Sequence, residues 1–354
     1  MNTQTSSSPT FLKTAASIES RLFESKYAQY LCLALIALIA IAPGILSHYW
    51  LALLIQIGYL SIAALGLNIL VGYSGQISLG HGAFFGFGAF ASAWLNNTTQ
   101  LPVFFCIPLA GLMTTAIGMI FGIPAARLKG LYLAIATLAA QYILEDFFVR
   151  ANWFTGGASG SLANPVSLFG FLLDNDQKYL YLVLFYVVLM YTLAANFLRT
   201  RDGRALVAVR DHYLSAEIMG IHLTKYRILA FGISSFYAGI AGALFGHYLG
   251  FVSIEGFTIL MSIQFLAMII VGGLGSIRGS LYGTIFIIGL PEIMHVIAEA
   301  VGTLFGGGIA VTQALPFVKE ISIGIVIILF LIYEPEGIAH RWQKIKAGFF
   351  KKQL

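Results

Sequence analysis

Apolar residues in this chain fall into long continuous runs, and short segments between the runs carry most of the polar and charged residues. Because a helix needs about 20 apolar residues to cross the hydrocarbon core of a bilayer, each run is a candidate transmembrane helix. Ten runs meet or approach this length: 27–47, 50–72, 82–95, 102–124, 130–149, 179–198, 228–249, 262–276, 279–298 and 316–333. The runs 82–95 and 262–276 are short and rich in glycine, so we expect broken or partly crossing helices there.

The composition supports this interpretation. Of the 354 residues, 58% are hydrophobic and only 10% are charged, whereas an ordinary soluble domain carries about 25% charged residues. A soluble protein of this composition could not cover its surface with polar groups. The chain is therefore predicted to be an all-α polytopic membrane protein with about ten helices, and not a cytosolic enzyme or a disordered chain.

Charged residues predict the orientation of the chain, because cationic loops prefer the cytoplasmic side of a membrane. Ten crossings place both termini on the same side of the membrane. If that side is the cytoplasm, seventeen of the 20 Lys and Arg residues lie in cytoplasmic segments. This distribution explains the net charge of +5 without a nucleic-acid partner. It predicts a cytoplasmic tail (1–26), a transmembrane permease domain (27–333) with an outer loop (150–178) and a cytoplasmic loop (199–227), and a basic cytoplasmic tail (334–354).

The cytoplasmic loop 199–227 is the longest highly charged stretch in the interior of the chain. It is predicted to form one helix, which Asp202 caps at the start and Gly220 closes in the left-handed conformation. The helix has an imperfect apolar face made of Leu206, Val209, Leu214 and Ile218. Such a helix either lies on the inner leaflet, held there by its arginines, or docks into a groove on a partner protein.

Four residues of this loop resemble the cytoplasmic loop of ABC-importer permeases, in which an E-A-A-like stretch is followed by a glycine: Ala216, Glu217, Gly220 and Ile221. Longer blocks are similar to the permease family for branched-chain amino acids, and they match in the same order as in that family. These blocks are residues 72–85, 203–248, 252–257 and 274–279, and the resemblance extends over about 50–337.

The resemblance implies the ABC-importer permease fold in a bacterial inner membrane, in the longer of two paired permeases. The expected partners are a related second permease subunit, two ATPase subunits, a soluble substrate-binding protein and membrane lipid. The four loop residues would contact the ATPase, and the substrates would be leucine, isoleucine and valine. The sequence G-x-x-x-x-G-K-[ST] does not occur, so ATP hydrolysis is expected on a separate chain and this subunit is not an enzyme. We expect no cofactor and no metal.

The segment 73–82 is polar and rich in glycine, although it lies between two apolar runs. It is either a cytoplasmic turn or irregular chain at membrane depth, which would have to face protein or a water-filled cavity. Uncharged polar residues in the neighbouring runs either tie helices together or touch substrate. The candidates to line a translocation path are Asn68, Gln76, Ser78, His81 and Gln141.

Two other functions stay open. The first is a permease for urea or short amides, because permeases for these substrates belong to the same family and look similar. A single sequence does not show whether the substrate is a zwitterion or a neutral amide. An ion-coupled secondary transporter would instead need buried ionisable groups, for which Glu292 and His295 on one helix face are the best pair. Such a self-sufficient carrier has no need for the charged loop 199–227, which favours the ATP-driven importer.

Overall fold

The computed structural model describes residues 39, 42–44, 46–168, 171–173, 175–305, 321, 324–330, 332–334 and 336–341. Within these ranges the chain is a bundle of helices, as the apolar runs predict. The predicted tail 1–26, most of the first run 27–47 and residues 342–354 of the basic tail lie outside the described residues.

The principal helices follow the apolar runs, except for two that lie in loop 199–227. They are α1 (His48–Asn68), α2 (His81–Thr99), α3 (Val103–Ala125), α4 (Leu131–Arg150), α5 (Asp176–Arg199), α6 (Arg201–Asp211), α7 (Tyr213–Ile218), α8 (Leu223–Leu249), α9 (Ile259–Gly272) and α10 (Ile277–Phe305). Helix α1 continues without a break into a π-helical turn, Ile69–Tyr73, and residues 324–330 are also helical.

Six helical segments of the described chain are long and apolar enough to cross a membrane: His48–Tyr73, Val103–Ala125, Leu131–Arg150, Asp176–Arg199, Leu223–Leu249 and Ile254–Gly272. The predicted count of ten is not established by the described residues. Helix α2 has 19 residues and is longer than its apolar run. Helix α9 has 14 residues and is about 21 Å long, so the segment Ile254–Gly272 approaches the roughly 30 Å hydrocarbon core only together with the 3-10 turn Ile254–Gly256 before it.

Helices α1 and α8 lie at the centre of the bundle, and small residues let α8 approach its neighbours closely. A side chain at Gly88 of α2 would collide with the backbone of Gly239 of α8, and one at Gly242 of α8 would collide with the carbonyl of Phe85. Close backbone contact is a common way for helices to associate within a membrane, where apolar burial gives little net driving force.

Four short strands lie at the end of the bundle that contains the predicted outer loop: β1 (Ser161–Leu162), β2 (Val166–Leu168), β3 (Phe171–Leu173) and β4 (Phe251–Val252). Strands β1 and β4 pair antiparallel, and β2 and β3 form a hairpin. The ring of His247 in α8 contacts the hydroxyl of Ser92 at 2.8 Å and the carbonyl of Asn164 at 2.7 Å. These contacts fasten the loop 150–178 to the bundle.

The loops that were predicted to be cytoplasmic lie at the opposite end of the bundle. The Arg210 guanidinium donates to the carbonyl of Gly72, and the Lys129 ammonium lies 3.9 Å from the ring centre of Tyr213. Loop 199–227 thus lies against the end of α1 and the α3–α4 connection. These loops share one side of the protein, as a common cytoplasmic location requires.

Candidate functional site

Loop 199–227 contains two helices, and the prediction of one helix starting at an Asp202 cap was wrong. The chain bends at His212, whose backbone angles (φ −147°, ψ 80°) separate α6 from α7. Thr200 caps α6 by accepting a hydrogen bond from the Gly203 N–H at 3.2 Å. The Asp202 carboxylate instead accepts a hydrogen bond from the Tyr226 hydroxyl at 3.1 Å, which ties α6 to α8.

The predicted apolar face is divided between these two helices. Leu206 and Val209 of α6 are buried, and Leu206 packs in a cluster with Leu70 and Phe231. Leu214 and Ile218 of α7 are exposed, with Ile218 exposed by 87%. The face of α6 is therefore part of the core, whereas that of α7 is uncovered in the described chain.

Gly220 ends this loop in the conformation that the sequence predicts. Its φ is +83°, in the left-handed region that glycine adopts without strain. The N–H of Gly220 donates to the carbonyl of Glu217 at 2.9 Å, and the N–H of Ile221 donates to the carbonyl of Ala216 at 3.0 Å. Ala216 is buried, Glu217 is exposed, and the adjoining Met219 is exposed by 83%. The four loop residues thus form a compact turn at the tip of the loop.

Residues 74–80, which we call the re-entrant segment, turn back into the bundle after α1 ends. The ring Nε2 of His81 lies 2.9 Å from the carbonyl oxygen of Ala63. Ala63 precedes Tyr73 by ten residues, which is about 15 Å along a helix. Helix α2 therefore starts well inside the bundle, and irregular backbone at such depth must be buried in protein or face a cavity.

Side chains from other helices cap the N-terminus of α2. The N–H of Gly82 donates to the Ser262 hydroxyl at 2.8 Å, and the N–H of Ala83 donates to Oε1 of Gln141 at 2.9 Å. The amide nitrogen of Gln141 donates to the Phe257 carbonyl and to the Glu145 carboxylate, both at 2.8 Å. Gln141 thus satisfies free N–H groups of a helix end and joins α2, α4 and the start of α9.

Asn68 holds the turn between α9 and α10. Its Oδ1 accepts a hydrogen bond from the Gly275 N–H at 2.9 Å, and its Nδ2 donates to the Ser276 carbonyl at 2.8 Å and to the Ser280 hydroxyl at 2.9 Å. Asn68 is fully buried. The side chain therefore ties α1 to α10 and satisfies backbone groups of the turn between α9 and α10.

The remaining three candidates are also buried, but their hydrogen bonding is less complete. The Ser78 hydroxyl accepts from the Gly80 N–H at 3.4 Å, and Nε2 of Gln76 donates to the Ser74 hydroxyl at 2.7 Å. Oε1 of Gln76 and Nδ1 of His81 have no hydrogen-bond partner among the described residues. The structure brings Gln76, Ser78 and His81 together along one segment, whereas Asn68 and Gln141 are joined to other elements.

Sequence reasoning did not single out three polar residues that complete these contacts. Ser262 and Ser280 lie in apolar runs, where a small polar residue gives little signal on its own. Arg210 is one of several charged residues in loop 199–227, and its position in the sequence does not indicate an acceptor. Glu292 contacts the Tyr49 hydroxyl, and the side chain of His295 lies outside the described residues.

Comparison with known proteins identifies the relatives of this chain. Residues 49–332 match the family model described as the permease component of branched-chain amino acid transport systems. The chain is 31% identical to the high-affinity branched-chain amino acid transport system permease protein LivM of Salmonella typhimurium, over 81% of this chain and 70% of that protein.

Two further relatives extend this likeness. The protein of the same name in Escherichia coli is 32% identical over 78% of this chain and 67% of its own length. The probable branched-chain amino acid transport permease protein LivH of Methanocaldococcus jannaschii is 30% identical over 81% of this chain and 90% of its own length. No solved structure is significantly similar to this chain.

Proposed function

Since this chain belongs to the family of permease components of branched-chain amino acid transport systems, we propose that it forms part of the translocation pathway of an ATP-driven importer for leucine, isoleucine and valine. It is an integral membrane transport protein. Its similarity to proteins named LivM and LivH supports pairing with a related second permease. The other proposed partners are two ATPase subunits and a soluble binding protein, in a bacterial inner membrane with both termini cytoplasmic.

The observation that carries the coupling proposal is the uncovered face of α7, which we call the coupling helix. Ile218 and Met219 are exposed by 87% and 83% at a loop tip. Exposed apolar side chains beside a carboxylate, that of Glu217, suit a groove on a protein that offers apolar contact and hydrogen-bond donors. We therefore propose that Glu217, Gly220 and Ile221 of the predicted set form the contact with the ATPase, and that Ala216, which is buried, supports the turn beneath them.

The proposed mechanism is alternating access without covalent chemistry on this chain. ATP binding on the separate subunits draws them together and displaces the coupling helix, and α6 passes this motion to the helices on which it packs. Substrate delivered by the binding protein then crosses without a deep binding site, because tight binding would slow its release.

The translocation path is proposed to run beside the re-entrant segment. Ile77 of this segment is exposed by 44%, and Gln76 and His81 each keep one polar atom without a partner among the described residues. Both side chains are buried, so we propose that these two atoms reach a polar group in the path only when the helices move apart during transport. Asn68, Ser78 and Gln141 would hold the wall of the path in shape.

The test is ATP-driven uptake of labelled leucine into vesicles that contain this chain and its partners, comparing the wild type with Ile218→Asp. A carboxylate on the coupling helix should release the ATPase subunits during purification and abolish uptake. Leu162→Asp is the matched control, because Leu162 is also exposed but lies at the other end of the bundle. It should retain the ATPase subunits.

Each alternative predicts a different result. Retention of the ATPase by Ile218→Asp would contradict docking and favour an interfacial helix. Uptake driven by an ion gradient without an ATPase would overturn the importer and direct attention to Glu292 and His295. Uptake of urea or a short amide, with leucine excluded, would change the substrate while preserving the transport mechanism.

A further inference from the structure

Arg210 connects loop 199–227 to the end of a membrane helix. It lies in the last turn of α6, and its Nη1 donates to the carbonyl of Gly72 at 2.6 Å. Its Nε donates to the carboxylate of the adjacent Asp211 at 2.8 Å, which orients the guanidinium. Carbonyls in the last turn of a helix have no partner within the helix, and a cation is favoured there by the helix dipole.

Two glycines make room for the Arg210 side chain, and a third, Gly72, lets the backbone of Gly275 approach the carbonyl that Arg210 binds. A Cβ atom on Gly75 would lie 3.1 Å from Cγ of Arg210, and a Cβ atom on Gly275 would lie 3.1 Å from Nη1. A Cβ atom on Gly72 would collide with Asn68 and with the backbone of Gly275. The backbone of all three segments can therefore approach the arginine closely.

These glycines belong to three elements that meet at Arg210. Gly72 is in the π-helical turn that ends α1, Gly75 is in the re-entrant segment, and Gly275 is in the turn before α10. The N–H of Gly275 also donates to Asn68 of α1. The side chain of Arg210 is thus a direct link from the loop to this junction, and π-helical turns often occur at functional positions.

We infer that Arg210 is the positioning residue through which motion of the coupling helix reaches the re-entrant segment and the α9–α10 turn. This inference rests on the proposed function, in which loop 199–227 receives the motion of the ATPase. A planar guanidinium holds two acceptors in fixed directions, here Asp211 and Gly72. A lysine ammonium has no such fixed fork, so Lys at this position should transmit motion less well.

Arg227 supplies a matched comparison. Its Nη1 donates to the carbonyl of Ala126 at 2.8 Å, so it also caps the C-terminal end of a membrane helix, α3. Its guanidinium forms no hydrogen bond with the α9–α10 turn among the described residues, and its backbone carbonyl accepts from Nε2 of Gln76 at 3.3 Å, a contact that a change of side chain leaves in place. If capping alone matters, replacing Arg210 or Arg227 should have the same kind of effect.

The experiment measures leucine molecules imported per ATP hydrolysed, in liposomes that contain the complete complex with wild type, Arg210→Met, Arg210→Lys or Arg227→Met. We expect Arg210→Met to lower this ratio by about tenfold while the rate of ATP hydrolysis changes by less than about twofold, since coupling energies commonly correspond to such factors. Arg210→Lys should lie between Arg210→Met and the wild type, and Arg227→Met should keep the wild-type ratio.

A proportional loss of uptake and ATP hydrolysis in Arg210→Met, or an unchanged ratio, would overturn the inference. Amide hydrogen exchange gives a second measurement that does not require transport. Binding of the ATPase subunits should slow exchange at residues 273–276 in the wild type, less in Arg210→Lys, and not at all in Arg210→Met. If the wild-type complex binds no ATPase or shows no ATP-driven uptake, the proposed function itself fails.

Discussion

The coupling helix exposes apolar side chains, whereas the re-entrant segment buries polar side chains. Ile218 of the coupling helix and the adjoining Met219 are apolar and exposed, whereas Gln76 and Ser78 of the re-entrant segment are polar and buried. Buried polar groups are costly unless they are hydrogen-bonded. Exposed apolar groups are common on protein surfaces, and a cluster of them at a loop tip indicates a contact with something outside the chain.

The difference between the two regions lies in where their partners are. Around the re-entrant segment, Asn68 and Gln141 find partners within the same chain and thereby fasten helices and turns together. On the coupling helix, the apolar face has no cover in the described chain. Polar residues in an apolar run can therefore be architectural, whereas apolar residues in a polar loop are the better guide to a partner.

The largest expected effect on stability is at Asn68. Asn68→Leu removes the partners of the Gly275 N–H and the Ser276 carbonyl, and each unsatisfied buried group costs about 1–3 kcal/mol. We expect the free energy of unfolding in mixed micelles to fall by about 4 kcal/mol. Asn97→Leu is the control, because Asn97 is exposed and donates to the Leu162 carbonyl. Equal losses in the two variants would show that Asn68 is not an architectural residue.

The second prediction compares the loss of stability when a leucine is truncated in each of the two helices of loop 199–227. Leu206→Ala leaves a cavity under α6 and should lower the free energy of unfolding by about 3 kcal/mol. Leu214→Ala removes the same atoms from an exposed position on the coupling helix, so its cost should stay within about 0.5 kcal/mol. Chemical denaturation of the purified subunit measures both. Similar losses would mean that the coupling helix is covered by this chain itself.

The smallest effect is at the turn that closes the coupling helix. Gly220 has a positive φ, and a Cβ atom there would meet no neighbour within 4 Å. Gly220→Ala should therefore cost about 1 kcal/mol through backbone strain alone. Gly220→Asn should cost less, because asparagine tolerates the left-handed conformation. Thermal unfolding of both variants is the measurement, and a larger loss for Asn than for Ala would contradict this account.

Local signals predicted much of the candidate site. Gly220 was expected in the left-handed conformation because a glycine at the end of a helix commonly adopts it. The structure confirms this prediction. The break at His212 was not predicted, because no proline or glycine marks it. The cap was assigned to Asp202 instead of Thr200, since both residue types cap helices and the choice depends on where Asp202 finds Tyr226.

The partners of the buried polar residues could not be predicted. Asn68 and Gly275 are more than 200 positions apart, and nothing local in either segment indicates their hydrogen bond. The same holds for Arg210, whose acceptor Gly72 lies 138 positions earlier in the chain. A single sequence records which groups require a partner, and it does not record which partner is near.

By itself, the sequence determined that this protein is an all-α membrane protein, because about 20 consecutive apolar residues have one stable arrangement in a bilayer. Its motif blocks also indicated the permease family. Only the tertiary structure decided that the re-entrant segment returns into the bundle, so that His81, which follows it, contacts Ala63. It also decided that Gln141 caps α2 and that Arg210 binds the end of α1. The physical reason is that apolar burial is non-directional and can be read from composition, whereas a hydrogen bond needs a distance and an angle that packing alone provides.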